Sequence, residues 1–360
     1  MPTTTEKSAS TEGTERKGWF RALYGRAGLS ASVLAVLVPV ALLAPLVAGE
    51  FSTVVGVEIL ILGLFALSFN LIYGYMGQIS FGQAAFFGLG AYATALVCRA
   101  FQASTGEIGY FQFFFALFLA IPVSAVGALV VGFFLVRLTG IYFAILSLAF
   151  GELLFYLVFS WYGFTGGDDG IQGILSPPFF RNSIHYYYFT LGVVAAAMVI
   201  IWRITQSPFG YTLRMLRDNQ RRAAFVGINV RRAMLLNFVI AGVFAGIAGS
   251  LWAPFQRSVS PTLLGWMQSG SPVFMTLIGG ADFFAGPLVG SMIYTALNAY
   301  VTRYTVFWPL TIGSIILVIV LFFPGGILSI IDSRLSGSSR KAEEPGMSGS
   351  PELANDRAVK

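Results

Sequence analysis

The chain has 360 residues, of which 56% are hydrophobic and only 11% charged, with a formal net charge of +6. A soluble domain carries about 25% charged residues, so this composition, with a mean hydropathy of +0.76, excludes a water-soluble fold and points to a polytopic membrane protein. The single cysteine, Cys98, excludes a disulfide framework. The single histidine, His185, leaves no histidine set for a haem or metal centre, and none of the four lysines (Lys7, Lys17, Lys341, Lys360) stands in a phosphate-loop motif.

The first 28 residues, rich in Thr, Ser, Glu and Lys, read as a disordered tail. Apolar stretches close to the roughly 20 residues needed to span a bilayer then follow at about 30–49, 53–73, 79–98, 111–136, 141–161, 187–203, 233–253, 268–280, 284–301 and 307–323. The third and eighth are short or broken by glycine, so both are open to a re-entrant path. The expected fold is therefore an all-α transmembrane bundle of about eight to ten spans over residues 29–332. A second disordered tail covers 333–360. The first apolar run follows basic residues but is long and lacks a persuasive cleavage site, so it reads as an uncleaved helix.

With the N-terminus placed inside, 18 of the 22 Lys and Arg residues fall in inner loops and tails. Only Arg99, Arg181, Arg257 and Arg303 remain outside. Positive loops resist translocation, so this split predicts that both termini are cytoplasmic.

Polar groups within apolar segments are costly and usually mark a site. The richest run is Asn70-Leu-Ile-Tyr-Gly-Tyr-Met-Gly-Gln-Ile-Ser-Phe-Gly-Gln-Ala-Ala-Phe-Phe-Gly-Leu-Gly-Ala-Tyr92. Its glycines suit close helix packing. A break at membrane depth is also how transporters build a solute path. Asn70, Gln78, Ser80 and Gln83 are the candidate pathway residues here, with a pathway role expected for at least one of Asn70, Gln78 and Gln83. Glu152 lies in mid-segment and reads either as a pathway carboxylate or as one hydrogen-bonded within the bundle. Asp282 sits in a glycine break and joins the candidates, whereas Glu58 lies near the outer end of its span. A faint echo of Gly82–Gly88 in Gly279–Ala285 hints at duplicated halves.

Two loops differ in character. The outer loop Phe164–Gly173 is glycine-rich with Asp168 and Asp169 at its centre, and reads as a structured turn with too few ligands for a metal. The inner loop, 204–232, is long and basic, with apolar Leu213, Leu216, Ala223, Ala224 and Val226 among its arginines. Pro208 starts and Gly227 closes what reads as a short helix pair displaying an apolar ridge. A lipid-facing helix is one reading; the small Ala223 and Ala224 favour a protein groove.

These features together resemble the M-type permease subunit of the branched-chain amino acid ABC import family, over roughly residues 55–330. The matching elements are Asn70-Leu71, Gly74, Gly77 and Ser80 through Tyr92; Thr165–Gly170; and Arg217-Asp218-Asn219-Gln220 followed by Ala223, Ala224, Gly227 and Ile228. Two elements depart from the family pattern: Asp282 and Phe283 replace a glycine and a serine, and Phe323 stands before Pro324 in place of an arginine. Relatives import urea, short amides or small aromatic acids, so the departures bear on the choice of solute.

The resemblance implies a permease of the cytoplasmic (inner) membrane for branched-chain amino acids, paired with a second, different permease. Two cytoplasmic ATPases would grip the loop through Arg217, Asp218, Asn219, Gln220, Ala223, Ala224 and Gly227, and an extracytoplasmic binding protein would deliver the solute. This chain would bind no cofactor itself, ATP being used by the partners, and its surroundings would be lipid and protein rather than nucleic acid. An ion-coupled secondary transporter is the alternative of another class and requires Glu58 or Glu152 to be essential. A membrane enzyme is disfavoured, since no nucleophile–base pair or metal set can be assembled.

Overall fold

A computed structural model describes residues 49–304, 307–322 and 325–330, with isolated positions 33, 39, 42 and 45. The expected tails, the bulk of the first apolar segment and Phe323-Pro324 lie outside the described residues. Helices account for almost all of the described structure. In chain order they are α1 (Glu50–Asn70), α2 (Gln83–Thr105), α3 (Tyr110–Leu135), α4 (Ile141–Ser160), a single turn at Tyr162–Thr165, α5 (Ser183–Gln206), α6 (Pro208–Asp218), α7 (Gln220–Phe225), α8 (Val230–Gln256), α9 (Trp266–Gly279), α10 (Gly286–Tyr304) and α11 (Trp308–Phe322). The extended structure is one antiparallel pair, β1 (Ile171–Gln172) with β2 (Ser258–Val259). It joins the outer loop to the end of α8.

Among the described residues, seven segments are long and apolar enough to cross a membrane: Glu50–Tyr75, Gln83–Ser104, Tyr110–Leu135, Ile141–Ser160, Ser183–Gln206, Val230–Gln256 and Pro309–Ile330. The third apolar segment of the sequence, open to either reading, is thus a full-length helix, α2. The eighth is not: α9 has 14 residues and reaches about 21 Å at 1.5 Å per residue, short of a hydrocarbon core of about 30 Å.

The bundle is built around α1, α2 and α8, whose most apolar stretches are 72%, 67% and 67% buried, against 28%, 22% and 33% for α3, α4 and α5. The outer faces of α3 and α4 carry Phe111, Phe118, Ile145 and Tyr156 exposed, as helices bathed in lipid do. Lipid tails offer no hydrophobic drive between helices, so the core is held by close packing over small residues. At the α2–α8 crossing, a Cβ at Gly90 would strike the Gly246 carbonyl oxygen and one at Gly249 would strike the Phe87 carbonyl oxygen. Backbone lies against backbone there, and Phe86, Phe87, Phe238 and Trp252 pack around the crossing.

The faint internal echo does not bring equivalent residues together. Gly82–Gly88 covers the N-cap and first turns of α2, whereas Gly279–Ala285 closes α9 and forms the turn before α10. The outer loop is the structured turn expected: a 3₁₀ turn at Gly167–Asp169 leads into β1. Among the described residues, no group of three or more His, Cys, Asp or Glu side chains gathers as metal ligands do.

Candidate functional site

The basic loop folds as a bent pair of helices, for legible reasons. Pro208 occupies the first turn of α6, where its missing N–H costs nothing. Asn219 turns extended, and its side-chain oxygen accepts from the Arg222 N–H at 3.0 Å, capping α7. Gly227 leaves α7 at φ +89°, and Asn229 caps α8 through the Arg232 N–H at 3.1 Å. Of the apolar positions in this loop, Leu213, Leu216 and Ala223 are fully buried and seat the pair on the bundle. Ala224 and Val226 face outward, together with Phe225, which is 90% exposed. Of the two small residues expected to meet a groove, Ala223 is buried within its own fold, and the side chain that projects furthest is Phe225, next to Ala224. Asp218, Asn219 and Gly227 are also exposed, and Gln220 is half-buried.

Arg217 ties this pair to the membrane interior. Its Nη1 donates to the Gly74 carbonyl at 2.6 Å, and its Nη2 pairs with Asp282 Oδ1 at 2.8 Å. Both side chains are about 40% exposed, so the pair adds little stability. Its value is connectivity. One side chain joins α6 to the end of α1 and to the turn between α9 and α10.

That end of α1 is irregular. Leu71–Tyr75 widens into a π-helical turn, a feature often found at functional sites. The Asn237 amide, on α8, donates to the Leu71 carbonyl at 2.8 Å. Gly77 then turns the chain at φ +73°, where a side chain would be strained and would crowd Arg217. The polar residues that follow are spent unequally. Gln78 Oε1 accepts from the Gly140 N–H at 2.8 Å, fastening the N-terminus of α4. Gln83 Nε2 donates to the Ala241 carbonyl at 3.1 Å and to Ser68 Oγ at 3.3 Å. Both glutamines therefore act as interhelical links. Asn70 differs: its side chain is 1% exposed, and neither its oxygen nor its nitrogen finds a partner. The buried Ser80 hydroxyl is likewise unpartnered. An unmet buried polar group costs about 1–3 kcal/mol.

The two remaining carboxylates have defined structural tasks. Glu152 Oε1 accepts from the Trp266 N–H at 3.0 Å, placing a negative charge at the N-terminus of α9. There the helix dipole and free N–H groups favour it. Glu152 is the twelfth residue of α4, about 17 Å along that helix, so the half-length α9 begins at membrane depth. Asp282 is the partner of Arg217, and its neighbour Phe283 packs with Ala285 and Leu328. Two residues that matter here escaped the sequence reading. Asn237 was visible as a lone amide in the apolar run Met234-Leu-Leu-Asn-Phe-Val239. Nothing in composition separated Phe225 from a buried aromatic.

A family model described as branched-chain amino acid transport system / permease component matches residues 51–324. The high-affinity branched-chain amino acid transport system permease protein LivM of Salmonella typhimurium is 25% identical over 337 residues, covering 86% of this chain and 77% of that protein. The corresponding LivH of Escherichia coli is 23% identical over 293 residues, 74% of this chain and 90% of that protein. A shorter match, 35% over 80 residues, covers 21% of this chain and 23% of the guanosine ABC transporter permease protein NupP of Bacillus subtilis. No solved structure matches.

Proposed function

The chain belongs to the family of branched-chain amino acid transport permease components, and from that premise we propose that it is one of two different permeases in an ABC importer for branched-chain amino acids. The complex would sit in the cytoplasmic (inner) membrane, with the termini and the α6–α7 pair on the cytoplasmic side. Two ATPases would dock on α6–α7, and a binding protein would deliver solute to the opposite face. Arg217, Asp218, Asn219, Gln220, Ala223, Ala224 and Gly227 form and position the docking element, with Phe225 and Val226 as its projecting tip. Asn70 and Ser80 are the strongest pathway candidates of the polar break, because every side-chain polar atom of both remains unbonded, whereas Gln83 keeps only its Oε1 free. Gln78, Gln83, Glu152 and Asp282 hold that path in shape.

The observation that carries the reading is the three-way contact of Arg217. A displacement of α6 by a closing ATPase reaches the π-helical end of α1 and the α9–α10 turn through one guanidinium. Both elements flank Asn70: a Cβ at Gly74 would touch the Asn70 amide and the Ala281 carbonyl alike. The carboxylate at 282, a departure from the family pattern, also finds its reason in this contact rather than in solute choice.

Arg217→Gln in the assembled importer tests this. The prediction is a fall of about fivefold or more in solute moved per ATP hydrolysed by the complexes that retain their ATPases. An unaltered ratio of transport to hydrolysis would remove Arg217 from the coupling route.

A further inference from the structure

The charge split leaves only four basic residues on the outer side, and two of them meet in one cavity. This cavity, of about 250 Å³, lies where the first turns of α1, the start of α5 and the end of α8 come together. Its lining includes Glu58, Arg181 and Arg257 beside Val57, Phe180 and Phe255. Glu58 stands 16 residues before Gly74 on the same helix, about 24 Å away along its axis. The cavity is thus at the opposite end of the molecule from the Arg217 contact.

The charges are not spent on one another. Among the described residues Glu58 makes no ion pair or hydrogen bond, although it is more than half-buried. Arg181 Nε donates to the Ser176 carbonyl at 3.2 Å, which fixes the guanidinium while its terminal nitrogens form no ion pair. Arg257 is the one non-glycine residue with positive φ among those described, at +55°. Such a backbone is uncommon for a side chain of this size, and outliers of this kind cluster at ligand sites. The Arg257 carbonyl accepts from the Ile174 N–H at 3.0 Å, anchoring the residue to the outer loop.

We infer that this cavity is a receiving site for a zwitterionic α-amino acid with an apolar side chain, lodged there after release from the binding protein and before the pathway opens. Opposite charges that share a cavity without pairing leave room for a solute carrying both. The ammonium group meets Glu58, the carboxylate meets Arg181 and Arg257, and the aliphatic side chain lies against Val57, Phe180 and Phe255. The volume lies below that of drug-sized pockets, as a small metabolite requires. The inference rests on the transport reading above and adds where, and by which groups, the solute is first held.

The test uses the complete importer in proteoliposomes, with binding protein loaded with radiolabelled leucine. ATP-dependent leucine accumulation by the wild-type complex first establishes the transport reading; its absence for every amino acid tried would overturn both. Given that accumulation, Glu58→Gln, Arg181→Gln and Arg257→Gly should each slow uptake by about tenfold or more, the scale of one lost charge-assisted hydrogen bond. Arg257→Gly keeps the question decidable if the others assemble poorly, because glycine is at ease at that φ. Wild-type uptake in Glu58→Gln and Arg257→Gly would overturn the site while leaving the transporter intact. Lost capture of the loaded binding protein would also overturn it, by reassigning the charges to a protein-docking surface.

Discussion

Phe225→Asp should abolish ATP-driven uptake and strip the proposed ATPases from the purified complex, while leaving the chain in the membrane at its normal level. Phe225 is 90% exposed, so its own fold gains little from it and loses little with it. A phenylalanine flanked by exposed Ala224 and Val226 and by Arg221 and Arg222 has the make-up of a protein anchor: an aromatic centre with a charged rim. Burying such a ring contributes about 1.5–3 kcal/mol, and an aspartate in its place would carry an unpaired charge into the groove. Retention of the ATPases should fall by about a hundredfold, whereas Phe225→Leu should keep most of it. Co-purification undiminished in Phe225→Asp would return α7 to the lipid-surface reading. A bulky charge at Ala223 is the weaker experiment, since that residue is wholly buried against its own chain and the change would disturb α7 itself.

Gly249→Leu should remove the protein from the membrane fraction. A Cβ at this position meets the Phe87 carbonyl oxygen, with the Ala91 backbone nitrogen 3.1 Å away. Backbone atoms cannot turn aside as a side chain does. Relief by sliding α8 is also blocked, because Gly246 presses on Ser124 of α3 and Gly242 on Ala128. The cost exceeds the about 1–3 kcal/mol of ordinary overpacking and falls on the helix that contacts α1, α2 and α3 together. Gly192→Leu is the matched control, since a Cβ there meets nothing within 4 Å. Its abundance in membranes and its thermal midpoint in detergent should equal those of the wild type. Equal behaviour of the two variants would contradict the account of the core.

How far the sequence foretold this structure depended on whether the signal was local. Apolar length delivered the bundle, because it is set by the cost of moving residues into a bilayer. The signals at Pro208 and Gly227 delivered the bent helix pair because each acts within a few residues, whereas the Asn219 cap between the two helices emerged only in the structure. Pairings across the chain were not legible. Arg217 and Asp282 are 65 positions apart and Glu152 and Trp266 are 114 apart, and no periodicity connects them. Glu152 left two readings open, and only the Trp266 N–H shows that it fastens a helix. Gln78, Gln83 and Asn70 looked alike as amides in one glycine-rich run. That Asn70 alone of the three stays wholly unpartnered depends on where Gly140 and Ala241 fall, and that is a property of the packed bundle.

The central claim is that this chain moves solute on the strength of ATP hydrolysed by docked partners. The Trp266 N–H contact gives Glu152 a structural task, which leaves Glu58 as the remaining carboxylate on which ion coupling could rest. The decisive measurement is leucine accumulation by the reconstituted complex, with ATP sealed inside the vesicles on the α6–α7 side and with proton and sodium gradients collapsed by ionophores. Accumulation should continue without either gradient and stop when the internal ATP is replaced by a non-hydrolysable analogue. Accumulation that needs a proton or sodium gradient and proceeds without ATP would contradict it.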